Sequence, residues 1–471
     1  MKNYFFLTLI LLLIFNADLS AQVDFISIKD FGAKPNDNIS DQVAFNKAAE
    51  FINKKQGGVH LIIPEGRYLV GPSFTKSIQE KDIQTGVLYD VFMLINCSNV
   101  IIEGKGKVLI AFIDNLPFGK LISRPARKDS GVHIGSLFRL KNSKNITIKN
   151  IIADGNKEKF RLLKNWGAGS NPYEREHEGI FILNCQNVVV INSTFNNFGR
   201  DGGMILQDPE NLPAINIHFA KCTFNNNGRN GFSWCGGDSV SFYQCKFLNN
   251  GRGKIKTNPA AGLDIEPERY ALCKRGSFVK CEFGNNDGYA VTSGYPDASD
   301  VTFDSCNIEG NTNYALFCNS PKFSFKNTSI AGCSLLSFDA DSEKDGMNFI
   351  NCTFIDSQLK KKTYTPAYLT GITGRYAKFN NCTFTGTKVP VLYTEIKKKK
   401  NMAEKENSLF TNCFFNVYFK KSSTWGNYAF LVSHSNFVDC TFKSAGYANF
   451  KRILNDAEKN VHQQKSVFIN N

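Results

Sequence analysis

Two acidic residues, Asp264 and Glu266, stand two positions apart in a segment with the alternating pattern of a β-strand. The apolar Leu263 and Ile265 occupy the positions before and between them. Because successive side chains of a strand point to opposite faces, both carboxyl groups are predicted on one face, with Cα atoms about 6.6 Å apart. Acidic residues are poor strand formers. Their pairing here therefore favours a functional role, such as general acid and general base in a hydrolytic reaction.

Three further carboxylates stand near this pair or in equivalent positions. Asp201 and Asp287 each precede a glycine that begins a similar segment, and Glu268 follows Glu266 by two residues. If these glycines occupy the same position in successive repeats, Asp201 and Asp287 lie at one end of the strand face that carries Asp264 and Glu266. Converging carboxylates raise one another's pKa, which keeps one of them protonated as an acid. The alternative interpretation is that aspartate before glycine belongs to a turn.

An arginine follows a glycine in three successive segments, at Arg200, Arg229 and Arg252. Stacked arginines repel one another, and an anion bound between them relieves that repulsion. The guanidinium fork matches carboxylate and sulfate groups at two points. This pattern predicts a binding track for an acidic sugar chain. The alternative is a solvent-facing corner that nearby aspartates partly neutralise.

A polar stretch at 156–177 carries side chains suited to binding a sugar. Trp166 and Tyr173 offer flat faces on which a sugar ring stacks, although single aromatics equally pin a loop to its scaffold. His177 is expected to titrate near neutral pH. The six histidines are scattered without zinc-like spacing, so no metal site is predicted from them.

A short Cys-x-Phe phrase recurs along the chain at steps of about 22 to 36 residues. Its copies begin at Cys222, Cys245, Cys281, Cys352, Cys382, Cys413 and Cys440, with variants at Ser193, Cys306 and Thr328. A minimum step near 22 residues fits one coil of a right-handed parallel β-helix, in which three short strands each pair with their counterparts about 4.8 Å away. The sequence therefore predicts an all-β solenoid of roughly 10–13 coils.

Stacking of identical positions explains the unusual composition, with 41 phenylalanines and 14 cysteines in 471 residues. The repeat cysteines are interpreted as small buried hydrophobes, because ladder neighbours about 4.8 Å apart exceed the roughly 3.8 Å between Cβ atoms that a disulfide prefers. A disulfide scaffold is the less favoured alternative. Paired asparagines after the phenylalanine mark the corners, where asparagine tolerates left-handed backbone.

The chain divides into three predicted parts. Residues 1–21 have a lysine, an apolar run of about 12 residues and a short polar end, which is typical of an export signal and too short to span a membrane. Residues 22–71 form an N-terminal cap, with a helix from Asp41 to about Asn53 that Ser40 caps. Residues 72–471 form the β-helix, with loop insertions at 72–95, 105–140 and 156–177. The protein is expected in the periplasm or outside the cell.

The N-terminal segment resembles the pectate-lyase-like β-helix superfamily. The resemblance rests on Asp30-Phe-Gly-Ala33, on the helix containing Phe45-Asn-Lys-Ala-Ala49, and on Gly57-Gly58 with Pro64-Glu-Gly-Arg-Tyr68. Polygalacturonase-type hydrolases and many phage tailspikes share this segment. The resemblance implies the fold and extracellular handling of glycans. The catalytic phrases of polygalacturonases do not occur here, so the resemblance does not carry over their reaction.

Three functions follow as hypotheses, all with a polysaccharide or oligosaccharide as partner. The first is a glycoside hydrolase with Asp264 and Glu266 as acid and base and Asp201 or Asp287 assisting, with retaining and inverting chemistry both open. The second is a polysaccharide lyase or uronate epimerase, in which a lysine, arginine, tyrosine or histidine abstracts a proton beside the uronate carboxylate and arginine or calcium neutralises that carboxylate. Asp264, Glu266 and Glu268 are the candidate calcium ligands. The third is a non-catalytic glycan-binding protein of tailspike or adhesin type.

Composition limits the other partners. The net charge of +14 favours an acidic partner, but an exported protein has little access to nucleic acid. No later stretch approaches the length of a membrane span, so neither nucleic acid nor membrane insertion is expected. No heptad pattern indicates an oligomeric state, and no cofactor is expected unless a lyase uses calcium.

Overall fold

The protein is a right-handed parallel β-helix, seen here in a computed structural model. The structure describes residues 23–71, 90–120, 131–132, 134–162, 174–208, 213–268, 270–310, 313–356, 368–396, 403–418, 430–444 and 461–470. The predicted export signal and parts of the three predicted insertions lie outside these residues. Within the described residues, three long sheets of 17, 14 and 12 strands, here called sheets A, B and C, run along the solenoid.

Each coil contributes strands to the three sheets in turn, and every strand pairs in parallel with its counterpart in the next coil. Sheet A contains Asp24–Ser27, Gly57–Ile63, Ser98–Gly104, Lys144–Lys149, Gln186–Ile191, Ile215–Ala220, Gly237–Tyr243, Cys273–Lys274, Ser277–Val279, Ala298–Ser299, Val301–Asp304, Phe323–Lys326, Asn348–Ile350, Lys378–Asn380, Ser408–Thr411, Ser435–Val438 and Val461–Gln464. Sheet B contains Gly66–Val70, Val108–Phe112, Ile152–Asp154, Thr194–Asn196, Thr223–Asn225, Lys246–Leu248, Glu282–Asn286, Asn307–Gly310, Ser329–Ala331, Thr353–Ile355, Thr383–Gly386, Phe414–Val417, Thr441–Ser444 and Val467–Asn470. Sheet C contains Phe92–Ile95, Phe138–Lys141, Ile180–Leu183, Gly203–Leu206, Phe232–Trp234, Leu263–Ile265, Val291–Ser293, Leu316–Cys318, Ser334–Leu336, Thr370–Ile372, Leu392–Thr394 and Phe430–Leu431.

Ladders of phenylalanine fill the space between the sheets. In sheet A, Phe219, Phe242, Phe278 and Phe303 stack nearly parallel, with ring centroids 4.8, 5.0 and 4.7 Å apart. A second ladder follows the Cys-x-Phe repeat along sheet B. These rings are buried, so an inward position in each of these two sheets, repeated from coil to coil, builds much of the core. The repeat thus predicted both the coil and the core side chain.

All 14 cysteines are buried with free thiols. Those of the repeat donate to carbonyl oxygens of the preceding coil, as Cys222 does to Val190 and Cys245 to Phe219, with sulfur–oxygen distances of 3.4 and 3.5 Å. The interpretation of these residues as small buried hydrophobes, rather than a disulfide scaffold, agrees with this arrangement.

Asparagines form the predicted corners between sheets B and C. Asn197, Asn226, Asn249 and Asn285 all have left-handed backbone, with φ between 53° and 59°. The residues that follow Asn226, Asn249 and Asn285 are the buried Asn227, Asn250 and Asn286. The side-chain amide of Asn227 donates to Asn250, and that of Asn250 to Asn286, at 3.0 and 2.9 Å. These side chains join consecutive coils at the corner that leads into sheet C.

The helix α1, Gln42–Lys55, covers the first coil. Its apolar face, with Phe45, Ala48 and Ile52 buried, packs on Gly57–Ile63 of sheet A and on Phe92–Ile95 of sheet C. It begins one residue after the predicted start, and the hydroxyl of Ser40 accepts the N–H of Gln42 at 3.3 Å. The helix therefore covers one open end of the solenoid, as predicted.

The predicted insertions are narrower than their stated bounds. The segment 105–140 contains the sheet B strand Val108–Phe112 and the beginning of the sheet C strand Phe138–Lys141, and the segment 72–95 contains Phe92–Ile95. These early strands have apolar alternation without the Cys-x-Phe phrase, so the repeat did not identify them. Pro117–Lys120, Gly131–Val132 and Arg161–Leu162 form a small separate sheet. No helix among the described residues is long and apolar enough to cross a membrane.

Candidate active site

The acidic pair lies on the outer face of sheet C. Leu263 and Ile265 are fully buried in the core, whereas Asp264 lies in the outward column between Ser233 and Thr292 of the neighbouring coils. Asp264 is 5% exposed, and Glu266 is half-buried. The structure therefore has the alternation that the sequence predicts for this strand, with Leu263 and Ile265 facing the core and Asp264 facing outward.

A column of polar residues borders this face where the sheet C strands begin. Backbone hydrogen bonds between coils align Ser136, Glu178, Asp201 and Asn230, each just before a strand. All four side chains are 0% exposed. Buried polar groups need hydrogen-bond partners, and this column supplies them from coil to coil.

Asp201 is held by a buried arginine. The guanidinium of Arg229 donates to both carboxylate oxygens of Asp201, at 3.0 and 2.6 Å, and its remaining nitrogen donates to Glu174 at 2.7 Å. Burial alone would raise the pKa of Asp201, but the charge and hydrogen bonds of Arg229 hold that pKa below its usual value. Asp201 is therefore an ionised structural partner of Arg229 at neutral pH.

Asp264 has the opposite environment. Burial, with a smaller contribution from the negative charge of Glu266, raises the pKa of Asp264 to about 7. Its carboxyl accepts one hydrogen bond from the side-chain amide of Asn230, at 3.1 Å. A carboxyl with this pKa is partly protonated at neutral pH, which is the state that a general acid requires.

The two acidic side chains open on a pocket of about 350 Å³. Its lining includes Glu174, Arg229, Asp264, Glu266, Thr292 and Tyr295. The hydroxyl of Tyr295 donates to Glu266 at 3.1 Å, and the negative charge of Glu266 raises the pKa of Tyr295. The pocket is thus lined by a proton donor (Asp264), a second carboxyl group (Glu266) and a half-exposed aromatic ring (Tyr295).

The pKa of Glu178 is similar to that of Asp264, but its side chain does not reach the pocket. Burial raises its pKa to about 7 against the lowering effect of Arg200, whose nitrogen lies 3.3 Å from the carboxyl. Its other oxygen accepts the hydroxyl of Ser136 at 3.0 Å. Because Glu178 is fully buried and does not line the pocket, we do not assign it to the reaction.

The structure does not place Asp287 in the predicted position. Its N–H bonds the carbonyl of Asn250, which aligns Asp287 with the corner residues Gly228 and Gly251 instead of with Asp201. Its carboxylate pairs with the exposed Lys256. The prediction that Asp201 and Asp287 share one end of the strand face is therefore wrong.

The three arginines do not form the predicted track. Arg229 is 5% exposed and paired with two carboxylates, and Arg200 lies against Glu178. Arg252 leaves the column because the chain loops outward before Thr257 bonds back to Gly228; it donates to Asn285 at 2.7 Å. Carboxylates neutralise Arg200 and Arg229, as the alternative expected, but the two side chains are only 16% and 6% exposed, so this corner does not face the solvent.

His177 is a core residue. It is 0% exposed among Phe112, Phe118, Phe160 and Phe198. Its Nδ1 accepts the N–H of Gly199 at 2.8 Å, and burial lowers its pKa to about 3. The expectation that it titrates near neutral pH is wrong.

Three of the predicted site residues remain. Trp166 and Tyr173 lie outside the described residues. The backbone N–H of Glu268 bonds Cys235 at 3.0 Å, and its side chain does not line the pocket. Across the described ranges, no three His, Cys, Asp or Glu side chains lie together as a metal site.

Sequence reasoning missed four residues of the site: Glu174, Asn230, Ser233 and Tyr295. A signal existed for Asn230, because the residue before the aligned glycine is polar in three successive coils, at Glu178, Asp201 and Asn230. No pattern distinguished Glu174 or Tyr295, which reach the pocket from outside the sheet C strands.

Comparisons with known proteins agree on the fold. The right-handed β-helix region family matches residues 93–269. The N-terminal fragment of bacteriophage Phi29 gene product 12 is similar at 12% identity over 94% of this chain and 71% of that chain, with a TM-score of 0.53. No curated protein matches the chain in sequence.

Two further structures are similar at lower scores. One is tailspike gp49 of Acinetobacter baumannii bacteriophage Fri1, a capsular polysaccharide depolymerase, at 13% identity, TM-score 0.42 and 94% of this chain. This chain spans 62% of the length of gp49. The other is the A-module of the mannuronan C-5 epimerase AlgE4 of Azotobacter vinelandii, at 12% identity and TM-score 0.46, over 87% and 100% of the two chains. At these identities the likeness concerns the fold alone.

Proposed function

We propose that this protein is a carbohydrate-active enzyme that hydrolyses glycosidic bonds at the pocket on sheet C. One observation carries the proposal: Asp264, with its pKa raised to about 7, opens beside the carboxylate Glu266 on one pocket. Acid–base cleavage of a glycosidic bond uses two carboxyl groups, one of which keeps its proton as the acid.

The roles follow from the environments of the two groups. Asp264 donates its proton to the glycosidic oxygen as the bond to the leaving sugar breaks. Glu266 acts on the sugar carbon, either directly as a nucleophile or through a water molecule. Tyr295 orients Glu266 by its hydrogen bond. Arg229 keeps Asp201 ionised behind the site, and Asn230 connects Asp201 to Asp264.

The lyase or epimerase alternative has less support in the pocket. Such enzymes neutralise a uronate carboxylate with arginine or a metal ion, and Arg229, the arginine of the described lining, already binds Asp201 and Glu174. The export predicted from residues 1–21 would put a hydrolase where polysaccharides occur.

The test is turnover of a panel of neutral and acidic polysaccharides, followed by reducing ends and by the ultraviolet absorbance of unsaturated uronates, with and without chelator. Reducing ends without new absorbance support the hydrolase. New absorbance indicates a lyase and contradicts the proposal, and binding without either signal indicates a non-catalytic protein. Turnover should fall as the pH rises through about 7, because Asp264 then loses its proton.

Glu266→Gln should reduce turnover at least about 100-fold while the protein stays folded, since catalysis by a positioned acid–base group contributes on this order. Glu395→Gln is the matched control. Glu395 occupies the same outward column position five coils later and also pairs with a tyrosine, Tyr393. Equal turnover by the two variants would remove Glu266 from the mechanism.

A further inference from the structure

The pocket has a local charge opposite to that of the whole chain. The chain carries +14, yet the described lining of the pocket has three acidic residues, Glu174, Asp264 and Glu266, and one basic residue, Arg229. Asp201 adds a further buried carboxylate directly behind Arg229. The net charge of the chain therefore gives no guide to what this pocket binds.

The single arginine is not available to an anion. Three of its nitrogen–oxygen contacts, two to Asp201 and one to Glu174, are hydrogen bonds of 2.6 to 3.0 Å. Its side chain is 6% exposed. A sugar carboxylate or sulfate would have to displace Glu174 to form an ion pair with Arg229. It would do so in a pocket that the carboxylate of Glu266 also lines.

Nearby lysines do not change this balance. Lys256, close in sequence to the pocket residue Pro259, pairs with Asp287, and Lys254 donates to the carbonyl of Glu158 at 2.7 Å. An anionic sugar in the pocket would therefore lie beside Glu266. The one cation of the described lining, Arg229, is already paired with Asp201 and Glu174, so it does not offset the repulsion between like charges at short range.

We propose that the pocket accepts an uncharged sugar ring and excludes uronates and sulfated sugars. Tyr295, which is 44% exposed, provides the face on which the ring stacks, while carboxylate oxygens accept its hydroxyl hydrogens. The inference rests on the proposed sugar-binding function of this pocket and names its substrate class. It replaces the acidic glycan expected from the arginine repeat.

The test uses matched pairs of polysaccharides with one backbone: mannan and mannuronan, galactan and sulfated galactan, and a β-glucan before and after oxidation of its primary hydroxyls to carboxylates. Binding is measured by affinity electrophoresis, separately from turnover. We expect retardation by at least one neutral member and by no anionic partner. Binding to an anionic member, or to no neutral member, overturns the proposal.

Separate measurement distinguishes this failure from failure of the hydrolase. Reducing ends released from an anionic polymer would preserve the hydrolase and overturn the charge selection. Binding to neutral members alone, without turnover, would support the charge selection and contradict the hydrolase. The affinity for a neutral member should change less than about twofold with salt, because no ion pair is formed.

Glu174→Gln tests the electrostatic cause. It removes one negative charge and frees an N–H of Arg229, so retardation by the anionic members should become measurable, with an affinity at least about tenfold above the detection limit that wild type does not reach. Glu282→Gln is the control, because Glu282 is a similarly exposed glutamate paired with Lys246 on sheet B. If Glu174→Gln binds anionic members no better than Glu282→Gln does, charge is not what excludes them.

Discussion

Asp201 and Asp264 show how one residue type obtains two protonation states within a single hydrogen-bonded unit. Both accept hydrogen bonds from Asn230, one from its backbone N–H at 3.0 Å and the other from its side chain at 3.1 Å. The difference lies in the guanidinium of Arg229, which contacts Asp201 directly. Among the described residues no cation contacts Asp264 in this way, and burial together with the neighbouring Glu266 raises its pKa. The pKa of Asp201 is therefore lowered while that of Asp264 is raised.

The raised pKa of Asp264 predicts a pH dependence of stability that needs no substrate. Between about pH 4 and 7 the folded state keeps a proton that the unfolded state releases, so this contribution is present below the window and is lost as the pH rises through about 7. Asp264→Asn should therefore flatten the decline in unfolding free energy by about 1.4 kcal/mol per pH unit. Urea unfolding at several pH values measures it, with Glu395→Gln as control. An unchanged slope would mean that Asp264 is ionised throughout.

At the scale of the element, the corner between sheets B and C decides where each sheet C side chain lies. From the buried asparagine to the first residue of the sheet C strand there are five positions in the coils of Asn227 and Asn286, which lead to Phe232 and Val291. In the two coils that flank Asp264 the ladder of asparagines therefore sets where the strand begins, and pairing with those two strands sets the register of Asp264.

Asn250→Ala should test the importance of this ladder. Its side chain donates to Asn286 and to the carbonyl of Phe224, and it accepts from Asn227. Loss of these buried bonds should cost about 2–3 kcal/mol of unfolding free energy. Asn225→Ala, which removes a half-exposed acceptor of Asn249, should cost less than about 1 kcal/mol. Similar costs in urea unfolding would argue against the ladder.

The corner also explains what the sequence could and could not predict. The Cys-x-Phe repeat and the apolar alternation correctly predicted the coil, the core and the outward direction of Asp264. Alignment on glycine failed at Asp287-Gly288, because Gly288 is a corner residue: a Cβ there would lie 1.8 Å from the carbonyl oxygen of Pro259. Counting from Asn286 would have given the register. The arginine pairing could not be predicted, because Glu174 comes from a segment outside the repeat.

At the scale of the molecule, each coil packs on its neighbours, so the two ends require separate protection. Helix α1 covers the first coil with Ile52 fully buried. Exposed strand edges and core side chains at the end of such a stack invite association with other chains.

Ile52→Asp should therefore uncover this end and promote self-association, visible as concentration-dependent growth in light scattering. Val43→Asp is the control on the same helix, because Val43 is 63% exposed. If Ile52→Asp remains as monodisperse as Val43→Asp, α1 does not protect the end.

The buried thiols have a practical consequence for handling the protein. None of the 14 is bonded to another, so maturation requires no oxidant, and reducing agents should leave the fold intact. Burial raises the pKa of Cys185 and Cys318 to about 12, which suppresses the reactive thiolate. The cysteines are distributed along the solenoid, and each becomes open to alkylation only when the coil around it unfolds. Alkylation during unfolding, followed by peptide mapping, would therefore show which coils open first, without any engineered label.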